Sequence, residues 1–276
     1  MEIELENLNL IYTDNATYIK PILSDINISI KPGKINVLVG TYKSGKTTIL
    51  KLISGLILPT SGKINIKNTE FPYEKIGLIY SENEFIFKTV YEELSYAIKH
   101  LNKKVTDIHK HVISSLNMVG LNENYLNRKI TTLSDSEKIK ISLALVLGIN
   151  SKIILIDEID TILDSKSLNE IIKLLNLLKK RYNKTIVIST RNTSLAHMIA
   201  DNVILLNDGK IVESGNKYDI FTKDLSKYGL KNPNIIEFEN MARKKGVRLL
   251  YRDEINDLMK DIYRYCRWLY EVSYNI

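Results

Sequence analysis

Ile3, Leu5, Leu8 and Leu10 stand between polar neighbours at the start of the chain, and Leu23, Ile26, Ile28 and Ile30 repeat the rhythm further on. A period of two buries one face of an extended segment, so these stretches predict a pair of antiparallel strands. After the Pro32-Gly33 turn, residues 35–39 are short and almost wholly aliphatic, the pattern of a strand buried on both faces. Helical spacing follows at once at Ile49, Leu50, Leu52 and Ile53, which gives strand, glycine loop, helix. Residues 62–66 and 76–80 read as further strands. A helical block then interrupts the sheet over 90–119, with Val105, Ile108, Val112, Leu116 and Val119 as its stripe. A helix from Ser134 to about Ile149 leads to the aliphatic run Ile153-Ile154-Leu155-Ile156, which ends in Asp157-Glu158. A helix over 165–181, a strand over 185–189 and a hairpin about Asp208-Gly209 complete an α/β domain with an antiparallel part. Beyond about 223 the character changes. Asn232-Pro233 starts a helix and Gly246 stops it, and Ile255, Leu258, Ile262, Cys266, Leu269 and Val272 form a stripe that marks a C-terminal appendage.

Composition narrows this picture. With 44% hydrophobic and 26% charged residues over 276 positions, the chain supports a globular α/β domain and a smaller addition. No apolar run approaches the roughly 20 residues that cross a bilayer, and the start lacks the basic and apolar regions of a signal peptide, so a cytosolic chain is expected. The single cysteine, Cys266, permits neither an internal disulfide nor a thiolate metal cluster. A net charge of +7 calls for an anionic partner, and a polyphosphate, nucleic acid or anionic membrane face would each serve.

The segment Gly40-Thr41-Tyr42-Lys43-Ser44-Gly45-Lys46-Thr47 chooses the polyphosphate. Between a strand and a helix, this spacing of Gly, Gly-Lys and Thr turns successive backbone N–H groups toward phosphates, and the helix dipole adds to their attraction. Gly40 and Gly45 allow the path. Lys46 would reach the terminal phosphates, Thr47 would place its hydroxyl on Mg²⁺, and Thr48 would sit at the neighbouring phosphate. Asp157 and Glu158 fall at the carboxyl end of a buried strand, where open α/β sheets bind ligands. Asp157 is expected to share the metal with Thr47, and Glu158 to polarise the attacking water.

With these elements in order, residues 1 to about 222 resemble the ATP-binding cassette ATPases. The resemblance implies a phosphate-loop NTPase core of RecA type, with antiparallel β and helical subdomains, the helical one over about 84–149. It places Tyr12 against adenine, makes Leu133-Ser134-Asp135-Ser136-Glu137 the signature that faces the nucleotide of a second subunit, and puts Asp164 in the D-loop. Asn232-Pro-Asn-Ile-Ile-Glu-Phe-Glu-Asn-Met-Ala-Arg-Lys-Lys-Gly246 looks like the C-terminal region of energy-coupling factor transporter ATPases. That narrower resemblance divides the chain into an ATP-binding domain over 1–223 and a dimerisation region over 224–276. It implies ATP and Mg²⁺ as cofactors, a second ATPase subunit, a transmembrane coupling subunit met near 81–95, and a membrane protein that captures the vitamin or transition-metal ion. It also implies a peripheral place on the cytoplasmic face of the membrane.

Four positions depart from the family pattern. Lys43 replaces a loop glycine and adds a charge. Ser81 stands at the Q-loop glutamine and is too short for its reach. Asp135 replaces a signature glycine, and its carboxylate would repel a phosphate unless paired. Arg191 replaces the switch histidine and, as a permanent cation without acceptors, would grip the terminal phosphate. A homodimer would have every site defective in both halves, so a heterodimer with slow or one-sided hydrolysis is expected. Two other readings remain: a nucleotide-gated structural subunit with little hydrolysis of its own, and a soluble cassette ATPase acting on nucleic acid or the ribosome. Nucleic acid is not expected as a partner, because the Arg and aromatic mixture over 263–274 reads as a solvated helix face. His100, His109, His111 and His197 read as surface residues.

Overall fold

The alternating strands and the aliphatic strands sort into two sheets in the computed structural model, which describes residues 3–14, 18–66, 76–80, 84–102, 104–247, 249–252 and 255–274, without the side chains of 12–14, 18–20 and 268–274. β1 (Ile3–Asp14) pairs antiparallel with β2 (Tyr18–Ile30), Ile3 opposite Ile30 and Leu10 opposite Leu23. β4 (Ser61–Ile66) joins the other edge of β1, giving a three-stranded sheet of order β2-β1-β4. The apolar residues of this alternation, among them Leu5, Leu8, Leu23 and Ile26, are buried on one face.

The second sheet has six strands: β5 (Ile76–Ile79), β6 (Ile153–Asp157), β7 (Thr185–Thr190), β3 (Ile35–Gly40), β8 (Asn202–Asn207) and β9 (Lys210–Gly215), in that spatial order. The first five run parallel, and β9 returns antiparallel to β8 through the Asp208-Gly209 turn. β3, β6 and β7 are buried along their whole length. Alternate residues of each serve two different cores. Leu38, Leu155 and Val187 meet the three-stranded sheet and α1 (Lys46–Ser54), whereas Val37, Ile154 and Ile186 meet the other helices.

The helical block comprises α2 (Val90–Leu101), α3 (Ile108–Met118) and α4 (Asp135–Gly148), inserted between β5 and β6. Val105, expected on a helical stripe, lies in the connection between α2 and α3. Asp107 starts α3 instead, its side chain accepting the Lys110 N–H. α5 (Ser165–Tyr182) leads to β7, and α6 (Thr193–Ile199) follows it.

After α7 (Lys217–Phe221) the chain stays on the body of the molecule. Leu225, Leu230 and the fully buried Ile236 of α8 (Asn234–Lys244) belong to the larger core. Asn232 ties this passage down, its amide donating to the carbonyls of Phe221 and Lys223 at 2.7 and 2.6 Å while its carbonyl oxygen accepts the Leu225 N–H at 3.1 Å. α9 (Ile255–Tyr274) is attached more lightly, by buried Leu258 and an Arg252–Asp261 ion pair of 2.7 Å; Ile255, Met259 and Tyr263 are exposed. Among the described residues no helix is long and apolar enough to cross a membrane.

Candidate functional site

The chain leaves β3 at Gly40 and enters α1 at Gly45, whose φ of 104° is open to glycine. A Cβ on Gly45 would stand 2.6 Å from Leu23 Cδ2, so a side chain there would also have to displace the buried Leu23. Lys43, where the resemblance expects glycine, holds the left-handed φ of 62°, a conformation that costs a lysine about 1 kcal/mol. The hairpin turn braces the loop: the Gly209 N–H donates to the Ser44 carbonyl at 3.1 Å, and the Ser24 N–H donates to the Gly209 carbonyl at 2.9 Å. Residues 42–48 and Glu158 line a cavity of about 670 Å³ whose wall is completed by Pro21, Ile22, Asp208 and Gly209. Those last four escape a reading by motif. Asp208-Gly209 is legible in sequence only as a turn, and Pro21-Ile22 carries no signal.

At the floor, the buried Lys46 ammonium donates to the carbonyls of Gly40 and Thr41 at 3.0 and 2.8 Å and pairs with Glu158 Oε1 at 3.2 Å. Burial holds this ammonium below its ordinary pKa, against the opposing charges of Glu158 and Asp157. The Thr47 hydroxyl donates to Asp157 Oδ2 at 2.8 Å, and the Ser189 hydroxyl donates to Asp157 Oδ1. Two hard oxygen donors, Thr47 Oγ1 and a carboxylate, are thus in contact beside the loop, a donor set that fits Mg²⁺.

Glu158 has a left-handed φ of 43°, and its N–H donates to the Ser189 carbonyl at 3.1 Å. Its second oxygen meets Arg191 Nε at 3.4 Å, while the Arg191 guanidinium lies 5.9 Å from the ring centre of the exposed Tyr42. Arg191, expected to grip the terminal phosphate, thus stands beside the candidate base. β6 and β7 are neighbours with Asp157 opposite Ser189, which delivers the two side chains to one sheet edge. Asp160, which the sequence reading passed over, accepts from the Thr190 hydroxyl at 2.9 Å. Burial raises its carboxyl pKa, and the Thr190 hydrogen bond opposes that rise. The signal for it was a third acid in Asp157-Glu158-Ile159-Asp160.

The signature residues do not line the cavity. Ser134 caps α4, its Oγ accepting from the Glu137 N–H, while Glu137 Oε2 accepts from the Ser134 N–H at 2.8 Å, a reciprocal capping box. Glu137 Oε1 also accepts from the Tyr125 hydroxyl at 2.6 Å and pairs with Arg128 Nη1 at 2.8 Å. Burial pushes this carboxyl upward, but the hydrogen bonds from Tyr125, the Ser134 N–H and Arg128 outweigh it and hold the pKa at about 2. Asp135, expected to repel a phosphate unless paired, is paired with Lys138 at 3.2 Å. Ser136 is part of the first turn of α4. Asp164 caps α5, accepting from the N–H groups of Lys166 and Ser167 at 2.9 Å each. Ser81 lies outside the described residues, as does the side chain of Tyr12, whose backbone stands opposite Lys20 on β1. Two of the histidines differ from the surface reading. His197 is buried against Tyr218 and Phe221, and His111 Nε2 is 3.0 Å from the Gly148 carbonyl oxygen.

A family profile described as ABC transporter matches residues 23–161. The energy-coupling factor transporter ATP-binding protein EcfA2 of Clostridium perfringens is 32% identical over 263 residues, spanning 90% of this chain and 92% of that protein. Among solved structures, CbiO1 of Clostridium perfringens, part of the ABC transporter complex CbiONQ, is 26% identical with a TM-score of 0.70, over 86% of this chain and 98% of that one. A dimeric ATP-binding cassette in a post-hydrolysis state, bound to ADP and phosphate, is 27% identical with a TM-score of 0.69, over 78% and 98% of the two chains.

Proposed function

The chain belongs to the ATP-binding cassette ATPases, among the ATP-binding proteins of energy-coupling factor transporters, and from that premise we propose that it drives import of a vitamin or transition-metal ion as one half of a heterodimeric ATPase pair. The observation that carries this reading is the joining of Lys46, Thr47, Asp157 and Glu158 at one mouth. Residues 40–48 bind the phosphates through backbone N–H groups, and Lys46 turns from its carbonyl partners and Glu158 to the terminal phosphates. Thr47 and Asp157 would hold Mg²⁺, which when bound would supply positive charge to neutralise that of the phosphates. Glu158 orients the attacking water and takes up its proton. A second ATPase subunit, a transmembrane coupling subunit met near 81–95 and a substrate-capturing membrane protein complete the assembly, so this chain binds no transported substrate and sits on the cytoplasmic face of the membrane.

The Glu158–Arg191 pair favours a second reading, a subunit that clamps ATP and leaves hydrolysis to its partner, because Lys46 and Arg191 each occupy one of the two carboxylate oxygens that would otherwise orient the attacking water. ATP hydrolysis by the purified membrane complex separates the two. Under the first reading Glu158→Gln removes most turnover and keeps ATP bound, and Lys46→Ala abolishes binding. Unchanged turnover in Glu158→Gln would establish the clamp, and absence of ATP binding to the native chain would end both.

A further inference from the structure

The helical block is crossed by a bracket that the site does not use. Segment 86–91 lies against segment 126–130: the Val90 and Tyr91 N–H groups donate to the carbonyls of Arg128 and Leu126 at 3.2 and 2.9 Å, the Ile130 N–H donates to the Lys88 carbonyl at 3.0 Å, and Thr89 bridges Lys129. The first segment is fixed from below by Glu93, which is buried and accepts the N–H groups of Ile86 and Phe87 at 2.9 and 2.8 Å. From the second segment Tyr125 and Arg128 converge on one oxygen of Glu137, whose other oxygen caps α4. Each of these two side chains reaches back over a turn to a carboxylate that already has a partner in its own capping box. A cap alone needs neither of them.

We infer that Tyr125 and Arg128 are positioning residues that lock the first turn of α4, with Ser134 and Ser136, to segment 86–91, so that displacement of that segment moves the signature as a unit. The inference rests on the reading of 134–136 as the signature of a transporter ATPase. The convergence of a phenol and a guanidinium on one carboxylate oxygen is directional, and its loss leaves the cap in place while freeing the turn from the bracket. The sequence gives no reason to pair these residues, because Glu137 is committed by motif to a nucleotide across an interface and is here saturated within its own chain.

Amide hydrogen exchange on the isolated chain tests the bracket, and turnover in the complete transporter tests its use, with Arg128→Met, Arg128→Lys and Tyr125→Phe in both. Arg128→Met and Tyr125→Phe are expected to raise exchange about tenfold at Val90 and Tyr91 together with Glu137 and Lys138. In the complex kcat should fall about three- to tenfold with KM for ATP within about twofold, and Arg128→Lys should restore most of the loss. In a Glu137→Gln background, Arg128→Met should add little to either effect. Exchange rising at Glu137 and Lys138 while Val90 and Tyr91 stay protected would reduce Tyr125 and Arg128 to local supports of a cap and overturn the inference, as would an unchanged kcat. Failure of the native chain to bind ATP would instead remove the transporter reading, and the exchange data would still decide for or against the bracket.

Discussion

Ser189 shows how much of the site depends on groups that do no chemistry. Its fully buried hydroxyl donates to Asp157, and its oxygen and backbone carbonyl both face the Glu158 N–H, so one residue on β7 fixes two on β6. Ser189→Ala should cost about 2 kcal/mol and lower Tm by roughly 4–8 °C in the isolated chain, read by thermal unfolding, because it leaves a buried carboxylate oxygen without its donor. The carboxylates themselves were legible from the aliphatic run before them. Their support was not, since Ser189 meets Asp157 only through the register of parallel strands that are distant in sequence. The same distance hid the pairing of Arg191 with Glu158. At the residue scale, motif spacing names the groups that meet a ligand, while partners across the sheet depend on topology.

For the elements, periodicity did better because it is local. The buried strands β3, β6 and β7 and the helices α4 and α5 stand where the aliphatic runs, the Ser134 start and the helical spacing over 165–181 put them. What stayed hidden is joined by irregular backbone, such as the bridge of Thr89 with Lys129. Glu137 gives this scale a pH dependence. Its carboxyl falls from an ordinary 4.5 to about 2 in the folded chain, so the stabilisation it supplies is complete above about 4.5 and disappears as pH falls through about 2. Denaturant unfolding between pH 6 and pH 2 should therefore show native and Glu137→Gln chains furthest apart at the upper end and converging toward pH 2. A constant gap across that range would exclude the ionised network as its source.

Across the whole molecule, the two C-terminal helices have different standing. α8 is held by core residues and by Asn232, and Asn232→Ala should lower stability by about 2–3 kcal/mol in the same unfolding assay, because three backbone groups lose their partner at once. α9 contributes one buried side chain among those described and an ion pair. A chain ending at 252 should keep ATP affinity within about twofold by equilibrium binding, since none of the described residues of α9 lines the cavity. It should lose association with the second ATPase subunit in sedimentation, as befits a helix that leaves the apolar side chains Ile255 and Met259 exposed.

The turn at Asp208-Gly209 has a consequence for anyone who would rewire this chain. Hairpin tips are ordinarily where new termini, tags or inserted domains do least harm. Here a single methyl group on Gly209 would stand 2.2 Å from the Ile22 carbonyl oxygen, and the turn's own N–H is what braces Ser44. Opening the chain at this tip would release three pieces of backbone at once and spoil the cradle. Gly120, at the end of α3, has open space around it, and a circular permutant cut there should fold and bind ATP where one cut at 208–209 should not.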